Sequence, residues 1–106
     1  MILRESVSLG LGGGRDEDGK VIPPRQAAYL AEVSALSAEE SAERGREPSS
    51  VAYRVTLPRL RSGDVLTAAS SITWRGIVFG VVGPPMVHTV ASRVHHIEVV
   101  MASSTG

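Results

Sequence analysis

Apolar alternation with a period of two is the feature that most limits what this chain can become. Val51, Tyr53, Val55 and Leu57 alternate with Ala52, Arg54 and Thr56, and Pro58 closes the run. Successive side chains on a strand point to opposite faces, so this pattern builds a strand with one buried and one solvated side. The same period covers Arg93 to Met101, where His95, Ile97, Val99 and Met101 share one face and His96, Glu98 and Val100 the other. It also covers the start of the chain: Leu3, Val7 and Leu9 face one way, Arg4, Ser6 and Ser8 the other, and Glu5 intrudes on the apolar side.

Turn chemistry punctuates these runs. Arg75-Gly76 stands between Ile72-Thr-Trp74 and the β-prone stretch Ile77 to Val82, the spacing of a two-residue hairpin, and Gly76 can take the positive φ such a turn demands. Ser62-Gly63-Asp64 reads as a turn, and Gly83-Pro84-Pro85 is expected to end the strand from Ile77, with Met86 to Ser92 crossing to the last strand. Near the start, glycines from Gly10 to Gly14 interrupt regular structure; Arg15 to Lys20 is a polar loop turning at Asp18-Gly19, extended by Pro23-Pro24. Gln26 to Arg44 is ambiguous, because Leu30, Val33 and Leu36 also fit a helix. The segment after them has no apolar face, so Ala28 to Leu36 is read as a strand and Ser37 to Ser50 as a charged loop. Ala102 to Gly106 is expected to fray.

These readings give an all-β chain: one domain over 1–106, a small antiparallel β-barrel or sandwich of about six strands with long polar loops at 10–25 and 37–50. Trp74, Ile77, Phe79, Val81, Ile97 and Val99 are its expected shared core. With Tyr29, Tyr53, Trp74 and Phe79 as its aromatic residues, the core is thin, and a thin core in a small scaffold is often completed by neighbouring subunits. Eleven basic and eleven acidic side chains cancel, which disfavours a tight grip on nucleic-acid phosphates. No cysteine is present, so disulfides and thiolate chemistry are excluded. No apolar run approaches the roughly 20 residues that span a bilayer, and Arg4 and Glu5 stand where a signal peptide needs apolar residues; neither a membrane partner nor a leader is expected.

Few residues invite chemistry. His88, His95 and His96 are the cluster to weigh, but neighbours on a regular strand point to opposite faces, so His95 and His96 are not expected to share an ion. His96 is read as solvated and His95 as partly buried or at a subunit contact. No serine lies in a Gly-x-Ser-x-Gly turn, and the glycine run Leu9 to Arg15 lacks the Gly-Lys-Ser/Thr ending of a phosphate cradle. Neither an enzyme, a metal site nor a cofactor is expected.

Three stretches carry a family resemblance: Tyr53-Arg-Val-Thr-Leu-Pro58, Ile72 to Pro85, and His95-His-Ile-Glu-Val-Val100. Together they resemble the C-terminal half of the head-to-tail stopper, or head-closure, proteins of long-tailed bacteriophages. In that family a strand ending in proline is followed by a hairpin of the form Arg-Gly-x-x-aromatic-x-Val-x-Gly-Pro-Pro and a last strand with His and an acidic residue. Members often carry Trp or a charged residue soon after the Pro-Pro, where this chain has Met86-Val-His88. The resemblance implies a structural virion protein, made in the host cytoplasm, that forms a homo-oligomeric ring beneath the portal and its adaptor. It would close the DNA-filled head, touch DNA transiently and without specificity, and offer a docking surface to a tail terminator or tail tube.

On that reading Arg15, Asp16, Asp18 and Lys20 in the first loop, with Glu39, Glu40, Glu43, Arg44 and Arg46 in the second, are candidate assembly or channel-facing residues. Arg59, Arg61, Arg75, Pro84, Pro85 and His88 are candidates for the partner surface. A tail terminator, which would carry a clear helix on its sheet, and a small non-viral barrel binding domain or hydrolase are the alternatives.

Overall fold

The computed structural model describes residues 3–36 and 52–103. Eight strands follow in chain order: β1 (Glu5–Leu11), β2 (Gly14–Arg15), β3 (Val21–Ile22), β4 (Arg25–Ala35), β5 (Ala52–Pro58), β6 (Ser71–Trp74), β7 (Ile77–Val90) and β8 (Arg93–Ala102). Six of them close into an antiparallel barrel in the order β1-β4-β5-β8-β7-β6, with β6 returning to β1; β2 and β3 form a separate two-stranded ribbon. There is no helix among the described residues.

Closure works because every long strand turns one face inward. Val7, Leu9 and Leu11 of β1, Ala27, Tyr29 and Ala31 of β4, Val55 and Leu57 of β5, and Ile97, Val99 and Met101 of β8 fill the interior with Ile72 and Phe79. Residues two apart on a strand share a face, so each set is a direct expression of the period. Ala27 and Ala31 leave room for large neighbours, while Tyr53 and Phe79 meet edge to face at 5.7 Å and Tyr53 and Trp74 at 4.9 Å, a geometry that aligns the positive ring edge with the negative ring face. A second small cluster, Ala52, Val100 and Ala102, packs on the other side of β5 and β8 with Leu36 and Val82 against it.

The ambiguous segment is a strand that begins earlier than expected, at Arg25, with Tyr29 inward and Leu30 outward and 56% exposed. The Arg75-Gly76 hairpin forms as the sequence indicates, with φ of 51° and 78° and Trp74 paired to Ile77. Glu5, the charge on an apolar face, lies at the strand's start and accepts a 2.9 Å hydrogen bond from Arg75, so its intrusion marks the barrel rim.

Three expectations are corrected. Gly83-Pro84-Pro85 does not end β7, which runs to Val90. Val82 pairs with Val100 and Met86 with Glu98, so Gly83, Pro84 and Pro85 together oppose Val99 as a bulge. A bulge leaves residues out of the ladder and so tolerates proline, and Gly83 supplies a φ of 73°. Ile77 is 54% exposed instead of belonging to the core, because it stands beside the turn at the hairpin tip. Ala102 does not fray: it pairs with both Ala52 and Gly80 and is 4% exposed.

Candidate functional site

The loop from Gly10 to Pro24 is organised by Asp16. Its Oδ1 accepts from the backbone N–H groups of Asp18 (3.0 Å) and Lys20 (2.9 Å), while its own N–H donates to the Lys20 carbonyl at 3.0 Å. Arg15 donates at 2.7 Å to the Gly19 carbonyl. Asp16 and Arg15 therefore shape the turn that joins β2 to β3, and Asp18 and Lys20 are left facing solvent. The ribbon also presents Val21 and Ile22, 70% and 43% exposed. The sequence of this segment reads as a polar loop, and that apolar pair is too short an alternation to register as a strand.

A strap from Arg59 to Ser70 crosses beside β4, and Asp64 fastens it. The Asp64 carboxylate, only 6% exposed, accepts hydrogen bonds from the Tyr29 hydroxyl and the Arg25 guanidinium. These two donors, Tyr29 first, hold its carboxyl below the usual carboxylate range, with Arg25 and Arg61 adding charge attraction. Burial pushes the Tyr29 hydroxyl upward, and its bond to Asp64 adds to the shift. Arg61 closes the latch: its N–H donates to the Tyr29 oxygen at 2.8 Å, its guanidinium to the Ala28 carbonyl at 2.7 Å, and the guanidinium lies 4.0 Å from the Tyr29 ring centre. Arg61 is thus committed within the chain. So is Arg75, bonded to Glu5 and stacked 4.5 Å from the Trp74 ring centre. All three arginines expected at a partner surface are exposed, and Arg59 borders an apolar hollow with Val65, Leu66, Pro85 and Val87.

The far end of the β7–β8 hairpin is an arm. β6 pairs with β7 only over Ile77 to Gly80, and β5 with β8 only over His96 to Ala102. Thr89 to Val94 therefore pair with no strand but their own hairpin partner. Met86, Val87 and Val90 along the arm are 54%, 55% and 62% exposed. The turn residues Ala91 and Ser92 both have positive φ, 51° and 66°.

At the base of the arm, His88 and His96 are direct cross-strand partners and stack with ring centres 4.4 Å apart and planes 12° apart. Glu98, two residues beyond His96 on the same face, places its oxygens 3.7 Å from His88 Nε2 and 3.6 Å from His96 Nε2. The regular alternation that would set the adjacent histidines on opposite faces does not hold here. His88 pairs with His96 and Thr89 with Val94, so His95 is an extra residue on β8 and the alternation lapses there. Its Nδ1 lies 2.8 Å from Nδ1 of His96. Exposure is reversed as well, His95 being exposed and His96 half-buried, since β8 has left the barrel by that point.

Of the candidate residues, Pro84, Pro85 and His88 gather at the bulge and the arm's base, whereas Arg15 to Lys20 belong to the separate ribbon. Glu39, Glu40, Glu43, Arg44 and Arg46 lie outside the described residues.

Comparison with known proteins yields no matching family model and no matching curated protein. Among solved structures, the solution structure of protein SF1141 from Shigella flexneri 2a is similar with a TM-score of 0.66 and 22% identity, over 97% of this chain and 94% of that one. The likeness shows the same barrel fold across nearly the whole of both chains.

Proposed function

We propose that this chain is a ring-forming head-to-tail stopper of a phage neck, a non-enzymatic virion protein that closes the filled head and receives the tail. One observation carries the reading beyond the sequence resemblance. The barrel is already filled by its own side chains, Leu9, Val55, Leu57, Ile72 and Met101 being fully buried, yet the ribbon and the arm hold Val21, Ile22, Met86, Val87 and Val90 out in solvent. Apolar side chains grouped on two such elements suit burial against neighbours. Like copies would supply one contact, giving the ring; the portal adaptor and the tail terminator or tail tube would supply the others.

Balanced charge suits transient passage of DNA better than capture. A tail terminator would carry a helix on its sheet, and that none of the described residues is helical supports the stopper. A nonsense mutation in the gene within the phage that encodes it tests the reading. Packaged heads that leak DNA and accumulate beside free tails are expected; normal infectious particles would contradict it.

A further inference from the structure

The three side chains at the arm's base form a donor set of a recognisable kind. His88, His96 and Glu98 each present one ligand atom, and these atoms all lie within 4.8 Å of one another. Bonds of about 2.0–2.2 Å around a tetrahedral zinc space its ligand atoms roughly 3.3–3.6 Å apart. Glu98 Oε2 lies 3.7 Å from His88 Nε2 and Glu98 Oε1 3.6 Å from His96 Nε2, each near that spacing, and the two stacked rings, 12° from parallel, need only turn about their side-chain bonds for the Nε2 lone pairs to converge. Both separations are too long for hydrogen bonds, and Nε2 of His88 is buried with no hydrogen-bond partner. A buried nitrogen in that state costs free energy unless something binds it.

The surroundings favour Nε2 ligation. His95, thrown toward His96 by the bulge, can accept a hydrogen bond from Nδ1–H of His96 across their 2.8 Å contact. That bond leaves the lone pair of His96 on Nε2, the atom facing Glu98. Metal-binding imidazoles are usually oriented through their second nitrogen in this way. The backbone is equally specific: the cluster occupies the short regular stretch Met86 to His88 opposite His96 to Glu98, between the bulge at Gly83 to Pro85 and the bulge at His95.

We propose that His88, His96 and Glu98 bind one divalent transition-metal ion of the zinc type, with water in the remaining position, and that the ion clamps β7 to β8 where the arm leaves the barrel. Two imidazoles and one carboxylate select zinc and its transition-metal neighbours over magnesium, which demands oxygen ligands. His95 is a positioning residue. The clamp would hold the exposed residues Val87 and Val90 at one fixed angle to the barrel.

Titration of the full chain with zinc chloride in a calorimeter tests this, with magnesium chloride as the counterpart. One zinc per chain and no magnesium binding are expected. His88→Ala and Glu98→Gln should each weaken zinc by at least about 100-fold, and His95→Ala by about 10-fold, as loss of an orienting partner does. No zinc binding, equal binding of magnesium, or affinity unchanged in His88→Ala and Glu98→Gln would overturn the proposal. Histidine ring-nitrogen resonances of the unaltered chain give a second reading that needs no variant to fold. Zinc should shift Nε2 of both His88 and His96, and shifts confined to His95 would overturn the site.

Discussion

Phe79 lies 4% exposed between Tyr53 and Trp74 inside the barrel, and truncating it leaves a cavity that a closed sheet cannot collapse to fill. Phe79→Ala should cost about 3–5 kcal/mol in urea unfolding; a cost under about 1 kcal/mol would show that neighbouring side chains repack into the space. Asp64 governs the acid limb of stability. Its folded carboxyl titrates below the unfolded value, so its contribution is complete above about pH 4 and lost as pH falls through the lower folded value. Unfolding of the native chain should therefore weaken below about pH 4 more steeply than that of Asp64→Asn, and parallel profiles would show that the latch carries no linkage. Tyr29 acts at the other extreme: its raised hydroxyl keeps its contribution up to about pH 10 and loses it above.

Among the elements, the two hairpin turns make an internal comparison. Arg75-Gly76 and Ala91-Ser92 both use positive φ at the two central positions, as twist-compatible two-residue turns do. Only the first has a glycine. A left-handed conformation costs a side-chain-bearing residue about 1–2 kcal/mol, against about 0.5–1 for the extra unfolded freedom of glycine. Ser92→Gly should accordingly raise stability by roughly 0.5–1 kcal/mol, seen as a higher urea midpoint with an unchanged slope, whereas an unchanged midpoint would place no strain at the turn. The first turn was legible because its glycine advertises it; the second carries no such mark. The bulges were illegible for a related reason. Whether Pro84-Pro85 ends a strand or stands out of the ladder depends on the partner strand, since Val100 and Glu98 continue to pair on either side. The same dependence hid the meeting of His88 with His96, a contact between residues that strict alternation along one strand does not reveal.

At the scale of the whole molecule, the period of two was enough to give an antiparallel all-β fold, barrel or sandwich, because each strand with one apolar face needs others like it to enclose that face; closure into a barrel rests on the pairing of β6 with β1. What the period could not give is which apolar residues lie outside. Ile77 fits the alternation yet stands 54% exposed beside its turn, and Val87, in the segment read as a crossing, stands 55% exposed where the β7–β8 hairpin reaches past its neighbours. Val87→Asp combined with Val90→Asp should leave the barrel folded, with an unchanged far-ultraviolet spectrum, and, under the proposed stopper role, abolish joining of heads to tails in complementation of the nonsense mutant. Full complementation would remove the arm from the assembly surface. The central proposal, that the chain is a neck-ring stopper and so phage-encoded, is tested most directly by an electron-microscopy map of the neck of the virion whose genome carries its gene. The account predicts a ring of these barrels between the portal adaptor and the tail, with arms and ribbons buried against neighbours; a neck fully explained by other proteins, with no density for this barrel, would contradict it.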